Sequence, residues 1–316
     1  EFINKITGEL SSGQKNRVSL AKSIINDPKV LLMIAKGALQ QAIWRFRDIE
    51  RETDADRLEE IIIKDFWQPD QNTAIEPLGL GFTYTLLTKF NSGIKGIYKP
   101  KVKFMKRPFS YLGSNAAAEV AAYQLDKILK LNMIPITVLS HYHPYAKGSQ
   151  QFFVKNAIRA RQMLPYSGKP AKKFDLDQGR VRRSNNIRLF DWLINNFDRN
   201  VDNYLVLPDG KFVLIDHGCS FVSPLFVRPK KSRIKEYMPS EPFLKQLKFV
   251  AQNPQILDEK LAPILKTSQI RLLKRRIDYM VKKISKRTSR KKINYSSNRS
   301  RRKRSKKTLC GSIIKY

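Results

Sequence analysis

Asn203 and Asp216 bracket a stretch that reads as a β-hairpin. Tyr204 to Leu207 is a short apolar run, Pro208-Asp209-Gly210 a turn, and Phe212 to Ile215 a second apolar run. Antiparallel strands lie about 4.8 Å apart, so the entry to the first strand and the exit of the second meet at one end of the hairpin. Asn203 and Asp216 are therefore expected as neighbours, with Asp198 five residues upstream of Asn203. Two carboxylates and one amide oxygen converging there suit Mg²⁺ and a phosphate better than a folding core, because Mg²⁺ takes hard oxygen ligands. Asp202 competes weakly with Asn203 for the metal position.

A second set of chemistry-bearing residues stands upstream. Ile75 to Pro100 alternates as two strands, Phe82 to Thr88 and Ile94 to Tyr98, around an Asn91-Ser92-Gly93 turn. Gly79 and Gly81 precede the first strand, where backbone without Cβ can approach a nucleotide phosphate. Lys99 stands where the second strand leaves the sheet, and Pro100 is expected to stop the ladder. Lys101 faces the same side of an extended chain and is the alternative to Lys99. Asn115 to Leu129 has the spacing of a helix, with Ala118, Ala121, Ala122, Leu125, Ile128 and Leu129 on its apolar face and Ser114 as N-cap. Glu119 lies near the first turn, where a carboxylate complements the helix dipole and can reach a lysine. Met133 to Leu139 reads as an edge strand beginning near Pro135, and Phe152-Phe153-Val154 as another short strand. A lysine on a strand and a glutamate on the next helix form the arrangement by which kinase-like enzymes hold a nucleotide's phosphates.

The remaining segments frame these residues. Ala38 to Ile63 has helical periodicity with a break at Thr53-Asp54 and reads as a packing or linker element. Asn185 to Phe197 reads as a helix ending in Asn195-Asn196, residues that accept unusual dihedrals at a helix exit. Beyond Phe221, Pro224 to Pro242 is basic and loop-like, and Pro242 to Val250 and Gln255 to Tyr279 read as helices. Lys282 to Lys307 is rich in Lys, Arg and Ser, too polar to fold alone, and suited to a polyanion in a salt-dependent manner.

A chain of 316 residues with 41% apolar residues can hold two or three domains and a substantial core. The formal net charge of +34 favours anionic partners, whether nucleotide, nucleic acid or acidic lipid. Two cysteines, Cys219 and Cys310, are too few for a disulfide or zinc framework and favour a reducing, cytoplasmic setting. No apolar run approaches the roughly 20 residues of a transmembrane helix.

Glu9 to Met33 resembles the signature region of ATP-binding-cassette ATPases at Leu10 to Gln14, Arg17, Asp27-Pro28 and Val30 to Met33, with Ser12 in place of a glycine. Ser11 and backbone N–H groups at a helix start can hold a phosphate. The family's metal-binding Asp and basic Glu should follow Met33, but Ile34-Ala35 stand there, and no G-x-x-x-x-G-K-[ST] loop occurs. This stretch therefore lacks the parts for ATP hydrolysis of the usual kind.

A more extensive resemblance covers roughly Glu76 to Phe221. In order, G-I-Y-K-P-K, A-A-A-E-V-A-A-Y-Q-L-D-K-I-L, P-I-T-V-L, L-I-N-N-F-D-R-N-V-D-N-Y-L and V-L-I-D-H-G-C-S-F resemble the phosphatidylinositol 3-/4-kinase-like group of the kinase superfamily and the related HipA-type kinases. The resemblance implies an α+β, two-lobed protein-kinase-like fold with a small β-rich N-lobe and a mostly helical C-lobe. It divides the chain into a signature-like segment at 1–33, a helical linker at 34–72, an N-lobe at 73–155, a C-lobe at 156–280 and a basic tail at 281–316. It implies ATP and Mg as cofactors, with Lys99 contacting the nucleotide, while Gly79 and Gly81 remain candidates for nucleotide contact from their place ahead of the strand. Glu119 would orient Lys99, Asp198 position or deprotonate an acceptor hydroxyl, and Asn203 and Asp216 bind the metal. Arg199 and His217 are candidates for supporting roles. The expected activity is transfer of the ATP γ-phosphate to a hydroxyl of a lipid, protein or small molecule. The alternatives are a non-catalytic polyanion-binding protein, with nucleic acid or an anionic membrane as partner of the tail, and an ATP-binding-cassette ATPase fragment.

Overall fold

The computed structural model describes residues 39–67, 74–78, 84–101, 115–141, 147–163, 178–222, 234 and 237–287. The signature-like segment at 1–33, Gly79, Gly81, Ser114 and the tail from 288 onward lie outside them. The chain divides into two compact units. One comprises Glu1–Lys172 with Asp198–Ser220, and the other Lys173–Phe197 with Phe221–Tyr316.

The first unit opens with two helices, α1 (Leu39–Asp48) and α2 (Glu52–Trp67). Helical spacing puts Leu39, Ile43, Trp44 and Arg47 on the buried face of α1, and Ala55, Leu58, Glu59, Ile62 and Phe66 on that of α2. The break between them comes earlier than the expected Thr53-Asp54, because Glu50 takes a left-handed φ of 59°. Glu52 and Asp54 thereby fall in the first turn of α2, where their charge complements the dipole.

Five strands follow, β1 (Ala74–Pro77), β2 (Leu86–Lys89), β3 (Lys95–Pro100), β4 (Thr137–Ser140) and β5 (Gly148–Phe152), paired antiparallel in the order β1-β2-β3-β5-β4. The helix α3 (Ala116–Ile128) lies between β3 and β4 in the chain, with Asn115 at the N-cap position expected for Ser114. Three expectations change. Ala74–Pro77 adds a strand ahead of the expected pair, and β2 begins only at Leu86. Pro100 does not stop the ladder: it pairs with Gly148, and the Lys101 N–H donates to the Lys147 carbonyl at 2.9 Å. A Cβ at Gly148 would lie 2.2 Å from the Lys99 carbonyl oxygen, so glycine is what allows this close crossing. The strand expected at Phe152 to Val154 instead runs from Gly148 to Phe152 through three buried polar residues. Gln150 donates to Thr88 Oγ1 at 2.7 Å and Gln151 to Thr137 Oγ1 at 2.9 Å, and these bonds make a polar strand buriable. As expected, β4 is an edge strand.

A smaller antiparallel sheet, ordered β6 (Ile158–Arg159), β7 (Tyr204–Val206), β8 (Phe212–Leu214), contains the hairpin read from the sequence. Gly210 supplies the positive φ, 78°, at its turn. This sheet is tied to the α3–β4 connection by the Leu214 N–H, which donates to the Met133 carbonyl at 2.8 Å.

The second unit is helical in its described part: α4 (Gln178–Ile194), α5 (Glu241–Gln252), α6 (Gln255–Leu261) and α7 (267–287). The helix expected over Gln255 to Tyr279 is broken after Leu261, where Pro263 follows and cannot continue the hydrogen-bond ladder. The last helix continues to 287, past the expected start of the tail. Trp192 stacks on Tyr279 with centroids 6.0 Å apart, and Arg276 Nε donates to the Leu193 carbonyl at 2.5 Å, fixing α7 on α4. Asn195 has φ 53° at the helix exit, the conformation its residue type suggested. Among the described residues no helix is long and apolar enough to cross a membrane.

Asp126, on α3 and almost fully buried, accepts the N–H groups of Met133 and Ile134 at 3.1 to 3.2 Å. Burial raises its carboxyl to about 7, against the lowering effects of those two bonds, Arg47 and Lys211. The folded pKa lies above the unfolded value of about 3.9. The native state thus holds the proton more tightly, and this residue's contribution falls as pH rises from about 4 towards 7. Melting temperatures of wild type and Asp126→Asn, compared from pH 5 to 8, are expected to show wild type losing ground as pH rises.

Candidate active site

The centre of the site is an ammonium group. Lys99, near the end of β3, donates from Nζ to Glu119 Oε1 at 2.8 Å and to Asp216 Oδ1 at 2.9 Å. Its side chain is 12% exposed and that of Glu119 2%, whereas Asp216 is 36% exposed. Burial works against the charge on Lys99, but the attraction of Glu119, and then of Asp216, outweighs it, so the ammonium titrates above its ordinary range. Burial alone would push Glu119 up. Lys99, together with His217, instead holds it below the usual carboxylate range. The other oxygen of Glu119 accepts the backbone N–H of His217 at 2.9 Å, and the His217 ring lies 3.7 Å from it. Glu119 therefore joins β3 and the segment after β8 from its place in the first turn of α3.

The hairpin delivers Asp216 and Asn203 as its geometry required. Ile215 N–H donates to the Asn203 carbonyl at 3.2 Å, so the residues bracketing β7 and β8 lie side by side. Asn203 is buried and its Nδ2 donates to the Asp198 carbonyl at 2.7 Å. That bond commits the nitrogen and leaves Oδ1 as the oxygen available to a cation. Arg199 Nη1 donates to the carbonyls of Asn203 at 2.9 Å and Ile215 at 2.8 Å, and its guanidinium carbon lies 5.4 Å from the centroid of the Tyr204 ring. Arg199 is thus an anchor for the loop. Asn200 caps the short turn Val201–Asn203, its Oδ1 accepting the Asp202 N–H at 2.9 Å.

Sequence reasoning left Lys99 and Lys101 as alternatives; Lys99 makes both carboxylate contacts. Lys101 is exposed and lines a separate cavity of about 490 Å³ with Trp67, Ala116 and Leu139. Two features went unread. The His217 backbone donor is invisible in a sequence. Asp216 has φ 59°, a left-handed conformation for a non-glycine residue, marking a sharp turn where the chain leaves β8. Cys219, half-buried, has its thiol pushed up to about 12 by burial and by the negative charges of Asp198, Asp216 and Glu119.

Among the described residues no cluster of three or more His, Cys, Asp and Glu side chains is placed to hold a metal. The donors present are a half-exposed carboxylate and one amide oxygen. They fit Mg²⁺, which keeps waters and phosphate oxygens in its shell and needs only one or two protein ligands.

Neither a protein-family model nor a curated protein matches the chain. Solved structures do. One of the golgi casein kinase matches with a TM-score of 0.50 at 16% identity, covering 72% of this chain and 76% of that one. The chain has a protein-kinase-like fold. A structure of the Golgi casein kinase with Mn/ADP bound has a TM-score of 0.49 at 16% identity, again over 72% of this chain and 76% of that one. One of hydra Fam20 with sugar has 0.46 at 18%, over 68% and 87%. The expected α+β class, with an antiparallel-sheet N-terminal part and a mostly helical remainder, agrees with this fold.

The strained turn gives a test. Asparagine tolerates the left-handed region and valine does not, so Asp216→Val is expected to lose about 1–2 kcal/mol more stability than Asp216→Asn. Urea unfolding midpoints of the two variants measure the difference.

Proposed function

We propose that this chain is an ATP- and Mg²⁺-dependent phosphotransferase that moves the γ-phosphoryl group of ATP to a hydroxyl. The observation that carries the reading is the buried Lys99 ammonium held between Glu119 on α3 and Asp216 beyond β8. A phosphoryl group in transfer has a loose, highly charged transition state, so catalysis rests on placed cations and fixed carboxylates rather than on a protein nucleophile. In this reading Lys99 binds the nucleotide phosphates and Glu119 holds Lys99 in place. Asp216 and Asn203 hold Mg²⁺, which supplies positive charge to the phosphate oxygens when bound. Asp198 orients the acceptor hydroxyl and takes its proton, while Arg199 keeps the loop that carries Asp198 against the base of the hairpin.

Acceptor choice resides in loops that vary freely on such a scaffold. The neighbouring structure's name, a casein kinase, supports a protein hydroxyl as the first acceptor to test. The phosphatidylinositol 3-/4-kinase-like resemblance supports an inositol lipid as the second. The scarcity of cysteines, two in 316 residues, supports a cytoplasmic setting.

The test is incubation of the purified chain with γ-labelled ATP and Mg²⁺ or Mn²⁺, offering casein or phosphoinositide vesicles. Wild type is expected to transfer label. Asp198→Ala should retain nucleotide binding but lose roughly 10²–10⁴ in transfer rate, the usual worth of a positioned general base. Asp216→Ala should lose metal-dependent nucleotide binding. A wild-type protein that neither binds ATP nor labels itself or either acceptor would overturn the proposal.

A further inference from the structure

We infer that the α1–α2 hairpin is a built-in clamp on α3, with Glu59 and Lys127 as positioning residues that aim Glu119 at Lys99. The clamp rests on the reading of Lys99 and Glu119 given above. One stripe of α3 carries it: Glu119, Tyr123 and Lys127 are spaced four residues apart and so share a face of the helix. Glu119 engages the site, while the other two meet the hairpin.

Glu59 of α2, 5% exposed, accepts from Lys127 Nζ at 2.8 Å and from Arg47 of α1, itself 3% exposed. Tyr123 is fully buried, and its hydroxyl is electrostatically coupled to Arg47 and Glu59. Lys127 also meets Asp56 at 2.8 Å, and Lys130 meets Glu52 at 2.9 Å. The attachment continues past the helix. Asn132 donates to Asp48 at 2.7 Å, the Ile136 N–H to Gln40 Oε1 at 2.8 Å, and Ser140 Oγ to the Phe66 carbonyl at 2.8 Å. The hairpin is therefore fastened to α3 and β4 through α2, and to the connection between them through both of its helices.

These contacts fix the rotation of α3 as well as its distance from the sheet. A twist of about 20° about the helix axis would move a side-chain end, roughly 5–6 Å off the axis, by about 2 Å. That displacement is enough to break the Lys99–Glu119 bond, since hydrogen bonds weaken steeply beyond their normal range. Buried apolar contacts alone would tolerate such a twist better than directional ion pairs do. Removing the Glu59 charge takes from the buried Arg47 its nearest counter-charge, and removing Lys127 takes from Glu59 its ion pair to α3, so α3 gains a reason to turn.

The test uses the full chain and two readouts, affinity for Mg²⁺-ATP and hydrogen exchange at residues 116–123 without nucleotide. Lys127→Met and Glu59→Gln should each weaken nucleotide binding about tenfold and speed exchange at 116–123, while Lys127→Arg restores both. Lys127 is the more exposed partner, so its variant keeps the test available should Glu59→Gln fail to fold. Wild-type exchange and affinity in a folded Lys127→Met would overturn the clamp. A wild-type protein that binds no nucleotide would overturn the proposed function instead, leaving the exchange comparison to decide whether the hairpin holds α3.

Discussion

An ammonium group buried among carboxylates sets the terms for the first unit. Stripping water from Lys99 is costly unless opposite charge stands within hydrogen-bonding reach, and Glu119 and Asp216 supply it from two other elements. A single side chain thus requires β3, α3 and the exit of β8 to be in place together. The Leu214 N–H to Met133 carbonyl bond, and the Glu119 contact with the His217 N–H, fasten the same elements by separate routes. Two carboxylates sharing one ammonium leave local negative charge, which favours a cation, and a cation held there would in turn favour a phosphate.

The hairpin is the second constraint. Its base is closed by the Ile215 to Asn203 backbone bond and by Arg199, which spans both strands. This closure lets Asp216 hold a left-handed backbone, a strain of the kind that persists only where surrounding contacts over-determine it. The reward is directional: the chain turns sharply enough for the Asp216 carboxylate to meet Lys99 while the His217 N–H meets Glu119.

Much of this was legible because local chemistry and position agreed. Pro208-Asp209-Gly210 between two apolar runs specifies a hairpin, and a hairpin forces Asn203 and Asp216 together. Lys99 at a strand end and Glu119 at a helix start were readable as separate facts, and the fold unites them. What was not legible involves buried polarity. Ser149-Gln150-Gln151 looks like loop until Thr88 and Thr137 are seen to satisfy it from neighbouring strands. The buried Arg47–Glu59 pair lies in a stretch that reads only as a packing or linker element, because a periodicity count cannot distinguish a charge facing water from one facing a buried partner. The left-handed φ of Asp216 had no glycine to announce it.

We propose Lys99 as the phosphate-binding lysine of a nucleotide site. An ATP analogue bearing an acyl-phosphate electrophile acylates the lysine that lies against the phosphates, and peptide mass spectrometry identifies it. With Mg²⁺ present, acylation is expected at Lys99, and excess ATP should prevent it. Labelling concentrated on Lys101, or labelling of Lys99 that ATP leaves unchanged, would rule Lys99 out of that role.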